Sequence, residues 1–156
     1  MADRKPPRLC ADERETLLEL LQFQRESMLR KVEGLSDTDA ERRLVESDTT
    51  LLWLVQHLAH AERLWVLVRF AGQEPSVVEP PDGDGSLAAA AEHYRQTWTD
   101  VGDVIARASL DDVGADDQGL EPVNLRWVLA HLLEETARHA GHADILREQI
   151  DGQIGR

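Results

Sequence analysis

The stretch NLRWVLAHLLEETARHAGHADILREQIDG (residues 124–152) decides the fold, because its pattern predicts one long helix. Apolar residues recur along it with the period of an α-helix that buries one face. This inner stripe consists of Val128, Leu132, Ala143, Leu146 and Ile150. Asn124 supplies an N-cap and Gly152 a stop, so we expect a helix over about 124–150.

Three more long helices are predicted upstream, over about 11–33, 50–71 and 86–109. Residues 47–50 and Ser86 supply N-caps for the second and third of these helices. No stretch has a credible strand pattern. The sequence therefore predicts an all-α protein, a four-helix bundle.

The connections between the predicted helices are long. The segment 36–44 predicts a short helical turn led by Ser36 or Asp37, and 72–85 has the Pro and Gly content of a loop. The connections after the first and second helices are both long enough to be crossovers. Residues 1–10 are expected to form a loose lead, and 11–156 a single domain.

Composition excludes several classes of partner. The 30 acidic residues outnumber the 17 basic ones, which leaves a net charge of -13. Such a surface repels phosphate backbones and acidic membranes, so we expect neither nucleic acid nor membrane as a partner. The single cysteine, Cys10, cannot form a disulfide framework, and no apolar run resembles a signal or a membrane span. These features predict a cytoplasmic protein.

The fourth helix carries a cluster of possible metal ligands between His131 and His142. Glu135 and His139 are four residues apart, so both lie on one helix face, on the inner stripe or at its edge. His131 and His142 fall further round, toward the charged side. A carboxylate and an imidazole placed in this way can share one divalent metal ion.

The second helix offers a further ligand, His57. Its nearest neighbours around the helix are the apolar residues Leu54, Ala61, Leu64 and Val68. His57 should therefore point into the bundle, whereas His60 is rotated toward the rim. Desolvation favours the neutral form of an inward-facing histidine, which is the form that binds metals.

The residues alone leave a structural alternative open. A single histidine on an apolar face is more often a satisfied core residue than a ligand. A buried carboxylate is costly unless it is paired or bound to a metal, and Glu135 could pair with Arg138 in a structural salt bridge. A metal centre and an ion pair are both consistent with the pattern.

The motif QHLAHAERLW (56–65), followed by the stretch 124–152, resembles the DinB/YfiT-like superfamily. More narrowly, it resembles the actinobacterial branch of "mini-circle" and mycothiol-dependent maleylpyruvate isomerase-like proteins. The resemblance implies a four-helix bundle that holds a divalent metal, zinc in the first place and nickel in the second. It implies His57, Glu135 and His139 as the ligands, and three ligands leave a position open.

The resemblance also implies a function. Family members use low-molecular-weight thiols such as mycothiol, so we expect a metal-dependent thiol S-transferase or isomerase that acts on an electrophile, and a homodimer. One alternative is a non-catalytic, metal-stabilised dimeric module in a stress response. Another is a metal-dependent hydrolase or an iron oxygenase, because two histidines and one carboxylate also describe the iron facial triad.

Further residues are candidates for supporting roles or for a shifted ligand set. His142 follows His139 by three residues and could be a fourth ligand or a partner of a ligand. His131 and His60 are alternatives of the same kind, although a rim position without a metal role is the commoner outcome. Glu62 either supports the metal site or lies at the edge of the core.

Two other groups of residues are expected to have structural roles. Trp53, Trp98 and Trp127 are expected to anchor the core or an interface. Asp144 and Arg147 are expected to lie on a solvated face of the fourth helix.

Overall fold

Four long helices form the protein in a computed structural model, which describes residues 4–79, 85–115, 119 and 121–154. The long helices are α1 (Glu13–Val32), α3 (Leu51–Arg63), α4 (Leu87–Arg107) and α5 (Leu125–Asp151), and a short helix, α2 (Asp37–Ala40), lies between α1 and α3. A π-helical segment, Leu64–Phe70, continues α3, and a 3₁₀ turn follows at Pro75–Val78. The described residues contain no strand beyond one isolated bridge, Val113 with Asn124. The predicted all-α bundle is confirmed.

Side-chain caps determine where the helices begin. Ser36, Thr50, Ser86 and Asn124 each accept a hydrogen bond from the backbone N–H three residues further on. Each satisfies one of the amide groups that a helix N-terminus leaves without a partner. At the other end of α5, Gly152 adopts a φ of 75°, a left-handed conformation that favours glycine. The predicted caps are thus confirmed.

The predicted second long helix does not stay α-helical over 50–71. Its α-helical part ends at Arg63, and in the following π-helical segment the Ala71 N–H donates to the Val66 carbonyl five residues back, at 3.0 Å. The loop before α5 packs on this segment, because the Ala115 N–H donates to the Phe70 carbonyl at 3.0 Å. A run of apolar residues fits backbone hydrogen bonds to the fourth or to the fifth residue back equally well. The local sequence pattern could therefore not reveal the change from α-helix to π-helix.

Helices α1 and α5 run in the same direction. Arg126, at the start of α5, donates to Glu13 at the start of α1, with 2.7 Å between Nε and Oε1. Near the other ends, Lys31 pairs with Asp144. Helix α3 runs against α5, because His57 contacts Glu135 whereas Trp65, further along the chain, contacts His131.

Helix α4 runs against α1 and therefore in the same direction as α3. Arg14, in the first turn of α1, donates to the Ala108 carbonyl at the end of α4, at 2.9 Å. The start of α4 is near α2, where the Leu87 N–H donates to Asp37 at 2.8 Å. The connection between α3 and α4 must therefore cross the length of the bundle. The connection between α1 and α3 joins antiparallel helices and is not a crossover. Of the two predicted crossovers, the structure therefore has only the one between α3 and α4.

The core lies between the four long helices and is apolar in most places. Fully buried side chains from three of them include Leu21, Leu54, Leu58, Leu129 and Leu132. No helix in the described part of the chain combines the length and the hydropathy that crossing a membrane requires.

The predicted solvated face was wrong for Arg147, which is buried, whereas Asp144 is half-buried with a side chain 33% exposed. Arg147 is only 4% exposed and donates to the carbonyls of Lys31 and Glu33, at 2.9 and 3.0 Å. These carbonyls lie at the end of α1, where a helix leaves acceptors without partners. Asp144 neutralises Lys31, which is itself buried. Arg147 and Asp144 thus satisfy groups at the end of α1. The sequence pattern of α5 alone could not reveal these partners.

Candidate metal centre

The structure brings the three predicted ligands together between α3 and α5. His57 Nε2 lies 3.0 Å from Glu135 Oε1, and His139 Nε2 lies 3.1 Å from the same oxygen. The three possible ligand atoms are all within 4.8 Å of one another. Glu135 and His139 share a face because one helical turn separates them, and the antiparallel packing of α3 places His57 opposite that face.

This arrangement fits a divalent transition metal in both distance and chemistry. Zinc binds histidine nitrogen and carboxylate oxygen at about 2.0–2.2 Å, so two ligands of a tetrahedral site are roughly 3.4 Å apart. The two nitrogen-to-oxygen distances, 3.0 and 3.1 Å, are close to that separation. Two imidazoles and one carboxylate form a donor set that suits zinc, nickel or iron.

Electrostatics favours the protonation states that bind metals. Burial alone would raise the pKa of Glu135, but the hydrogen bond from His57 and the charge of His139 hold this pKa below its ordinary value. Burial lowers the pKa of His139, and the charge of Glu135 offsets this effect only in part. Both shifts favour the forms that bind a metal, which are the ionised carboxylate and the neutral imidazole.

The site is only partly closed to solvent. The side chains of His57, Glu135 and His139 are 28%, 18% and 13% exposed. A structural salt bridge from Arg138, the alternative to a metal, is the weaker contact: its guanidinium is 3.9 Å from Glu135 and 2.5 Å from Glu134. The principal partners of Glu135 are therefore the two histidines.

Trp53 forms one wall of the site, a position that was not predicted. Its ring stacks on the His57 ring at 4.7 Å with an interplanar angle of 10°, and it makes a T-shaped contact with the His139 ring at 6.1 Å. Trp53 is 41% exposed, so it lies at the mouth of the site and not in the core. Its position one turn before His57 was the signal that could have predicted this contact.

His142 is exposed and contacts the site from outside. Its Nδ1 lies 3.3 Å from Nδ1 of His139, whose other ring nitrogen faces Glu135. It is thus placed to orient the His139 ring, in the way that outer partners orient ligating histidines. His60 is exposed, in keeping with the predicted rim position.

The helical position of His131 predicted that it lies toward the charged side of α5. This prediction was wrong. His131 is half-buried, stacks on Trp127 at 5.0 Å and 17°, and makes a T-shaped contact with Trp65 at 4.7 Å. Trp65 comes from the π-helical segment after α3. Because this contact is between distant parts of the chain, the periodicity of α5 could not reveal it.

Glu62 belongs to a separate ion pair in the core. It is fully buried and accepts hydrogen bonds from Arg25, at 2.8 Å from Nε and 2.5 Å from Nη2. The Tyr94 hydroxyl also donates to it, at 3.2 Å. These contacts satisfy Glu62 within the bundle, so it is a core residue and not a support for the metal site. Arg25 shares the apolar stripe of α1 with Leu21 and Met28, which was the available signal.

Comparison with known proteins agrees with this architecture. A crystal structure described as the conserved protein of a locus from Enterococcus faecalis superposes with a TM-score of 0.72 and 14% sequence identity. The alignment covers 92% of this chain and 100% of that chain, and at this identity it shows a shared fold alone. A search among curated proteins found no match.

A family comparison goes further than the fold. Residues 16–152 match the family model described as mycothiol-S-transferase. The match spans most of the chain and includes both motifs that carried the resemblance to DinB-like proteins. The chain therefore belongs to the mycothiol S-transferase family of DinB-like proteins.

Proposed function

We propose that this protein is a metal-dependent S-transferase that uses a low-molecular-weight thiol of the mycothiol type. His57, Glu135 and His139 hold the metal, zinc in the first place and nickel in the second. The observation that carries the proposal is the convergence of three metal-binding atoms within 4.8 Å at a site that solvent can reach. Family membership supports the choice of thiol.

A divalent metal held there would lower the pKa of a thiol that binds it. The chain contributes one negative charge through Glu135, and the two histidines are neutral ligands. Together with a divalent ion the site keeps a net positive charge, which favours a sulfur anion over a neutral thiol. Three protein ligands leave a position for that sulfur.

The neighbouring residues orient the ligands. Trp53 covers one face of the His57 ring and so fixes its plane and limits the access of water from that side. His142 contacts the far nitrogen of His139. Rings held in this way lose little freedom when they bind a metal, which supports affinity.

The transfer itself is a nucleophilic substitution. The thiol sulfur forms a bond to an electrophilic carbon, the leaving group departs with its electron pair, and the thiol proton passes to solvent. In an isomerisation the same sulfur would add to the substrate and later leave again. The same residues serve both reactions.

The test compares two histidine variants. Zinc-loaded wild-type protein should carry about one metal ion per chain and catalyse adduct formation between mycothiol and monochlorobimane. His57→Ala should lose most of the metal and the catalysed rate. His60→Ala, the matched control on the same helix, should keep both.

Two results would contradict the proposal. Unchanged metal content in both variants would refute the ligand assignment. Full metal content without a metal-dependent rate, for any thiol, would favour a non-catalytic, metal-stabilised bundle. The homodimer and the cytoplasmic location stay predictions, and light scattering of the purified protein would test the first.

A further inference from the structure

Three aromatic rings lie beside the candidate metal centre. We call this group, Trp65, Trp127 and His131, the aromatic shelf. The Trp127 and His131 rings stack at 5.0 Å, and the Trp65 ring meets them at 5.1 and 4.7 Å, respectively. Each distance is within the range of aromatic rings in direct contact. The three rings therefore form one aromatic cluster, with Trp127 as its most exposed member.

The shelf and the metal centre lie on the same pair of helix ridges. On α5, the residues Trp127, His131, Glu135 and His139 follow one another at four-residue steps. On the facing ridge the order is Trp53, His57, Ala61 and Trp65. One turn separates His131 from Glu135, about 6 Å along the helix axis. A small molecule resting on the shelf would thus place a reacting atom near the metal ligands.

Two features distinguish the shelf from ordinary core packing. Trp127 is 44% exposed although it is a large apolar residue, so much of its ring faces solvent. Trp65 belongs to the π-helical segment Leu64–Phe70, and such departures from α-helical geometry occur frequently at functional sites. The π segment positions Trp65 against α5.

The electronic character of the indole rings indicates which ligands the shelf favours. The Arg69 guanidinium lies 4.2 Å from the centroid of the Trp65 ring, in a cation–π contact. Indole faces carry partial negative charge and attract electron-poor rings. Arg69 lies over the Trp65 ring and thus covers one face of that indole, so the solvent-facing indole of the shelf is Trp127.

We propose that this shelf binds the electrophile of the transfer reaction, and that this electrophile is a planar, electron-poor aromatic compound. The inference rests on the proposed function and adds a substrate class to it. A second copy of the chain is a poorer occupant on grounds of area. Three partly covered rings offer roughly 200–300 Å², well below the roughly 800 Å² that each partner buries in a stable interface.

The kinetic test compares two electrophiles of different shape, each with mycothiol and zinc-loaded protein. With 1-chloro-2,4-dinitrobenzene the sulfur bonds to the ring carbon and chloride leaves with its electron pair. With iodoacetamide the sulfur bonds to the methylene carbon and iodide leaves. In both, the thiol proton passes to solvent. Trp127→Ala should lower kcat/KM about tenfold for the aromatic electrophile, through KM, and less than about twofold for the aliphatic one.

Matched variants separate binding from folding. Trp127→Leu keeps the apolar bulk but lacks the aromatic face, so it should show the same selective loss. Ile145→Ala removes another exposed apolar residue of α5 and should behave as wild type with both electrophiles. All three variants should keep about one zinc per chain.

A binding measurement separates this inference from the proposed function. The unreactive analogue 2,4-dinitroaniline has no halide to lose, so its dissociation constant can be measured by equilibrium dialysis without turnover. Trp127→Ala should weaken its binding about tenfold. If binding depends on Trp127 but no electrophile is turned over, the shelf stands and the transferase proposal fails.

Two outcomes would overturn the shelf. One is turnover in which Trp127→Ala slows both electrophiles equally or slows neither, with unchanged dinitroaniline binding. The other is a wild-type dimer that Trp127→Ala converts to monomers with an equal loss of both activities. In that case the rings would form an interface between copies of the chain.

Discussion

Glu62 and Glu135 are both directed into the bundle, one from α3 and one from α5, and they differ in what surrounds them. Glu62 is fully buried and accepts two hydrogen bonds from the permanently charged Arg25 and one from Tyr94. Glu135 is 18% exposed, and its main partners are the imidazoles of His57 and His139.

The difference shows how its surroundings commit one glutamate to an ion pair and leave another placed where it could bind a metal. A guanidinium keeps its proton, and that of Arg25 donates to both oxygens of Glu62, so the carboxylate charge is already compensated. Neutral imidazoles can turn their lone pairs toward a cation instead. The partner, not the glutamate, therefore decides whether the carboxylate is held in an ion pair or is available to a metal.

The largest effect is expected from Glu62→Gln. This substitution leaves the buried Arg25 charge without its counterion, so it should lower the free energy of unfolding by about 3–5 kcal/mol. Urea denaturation would measure this loss. Glu134→Gln, at an exposed glutamate of α5, should cost less than about 1 kcal/mol. A loss for Glu62→Gln as small as that control would show that the Arg25 pair does not anchor the core.

Metal loading should stabilise the protein through Glu135. At a free zinc concentration 100 times the dissociation constant, binding adds about 2.7 kcal/mol to the free energy of unfolding. For a chain of this length the melting temperature should rise by roughly 5–10 °C. The shift should vanish in Glu135→Gln and His57→Ala and persist in His60→Ala. A shift of equal size in all four proteins would place the zinc elsewhere.

A smaller effect is expected from Trp53, which touches a ligand but offers no ligand atom. Trp53→Ala frees the His57 ring to rotate, so zinc affinity should fall about tenfold, at the lower end of the range for groups that orient metal ligands. Competition with a chromophoric chelator would measure it. Trp53→Phe keeps a ring for stacking and should restore most of the affinity. Equal affinities for wild type and Trp53→Ala would remove Trp53 from the site.

The smallest effect on stability is expected from the ion pair of Arg63 and Asp100. Like the Arg25–Glu62 pair it joins a guanidinium to a carboxylate, but it is only half-buried. Burial alone would raise the pKa of Asp100, but hydrogen bonds from Arg63 and Gln96 hold it below the ordinary 3.8. The pair therefore stabilises the fold above about pH 3.8, and this contribution is lost as the pH falls through the lower folded-state pKa.

Asp100→Asn should accordingly cost less than about 1 kcal/mol at neutral pH, and the difference from wild type should shrink in acid. Unfolding curves across the acid range would measure it. A difference that grew in acid would contradict the sign of the pKa shift.

Helix boundaries and inward-facing residues were readable from the sequence because both depend on local rules. Thr50, Ser86 and Asn124 cap helices where predicted, since a short polar side chain satisfies the first free amides wherever a helix begins. The 3.6-residue period likewise directed His57 and Glu135 toward the interior. Neither inference needs a neighbouring helix.

Contacts between helices were not readable in the same way. Arg25 was not identified as the partner of Glu62, and His131 was assigned to the charged side although it packs between two tryptophans. The spacing of apolar residues along a helix indicates which face is directed inward. It does not indicate which other helix covers that face, or at what height along the axis two side chains meet.

The sequence by itself thus determined the class of fold, the caps and the faces of the helices, because these follow from local hydrogen bonding and apolar period. It also indicated His57, Glu135 and His139 as candidate metal ligands, with His60, His131 and His142 as alternatives. Only the tertiary structure decided that His57, Glu135 and His139 meet at one point, and that Trp53 and the aromatic shelf border them. These placements depend on the direction and register of α3 against α5, which is set by packing over the whole bundle.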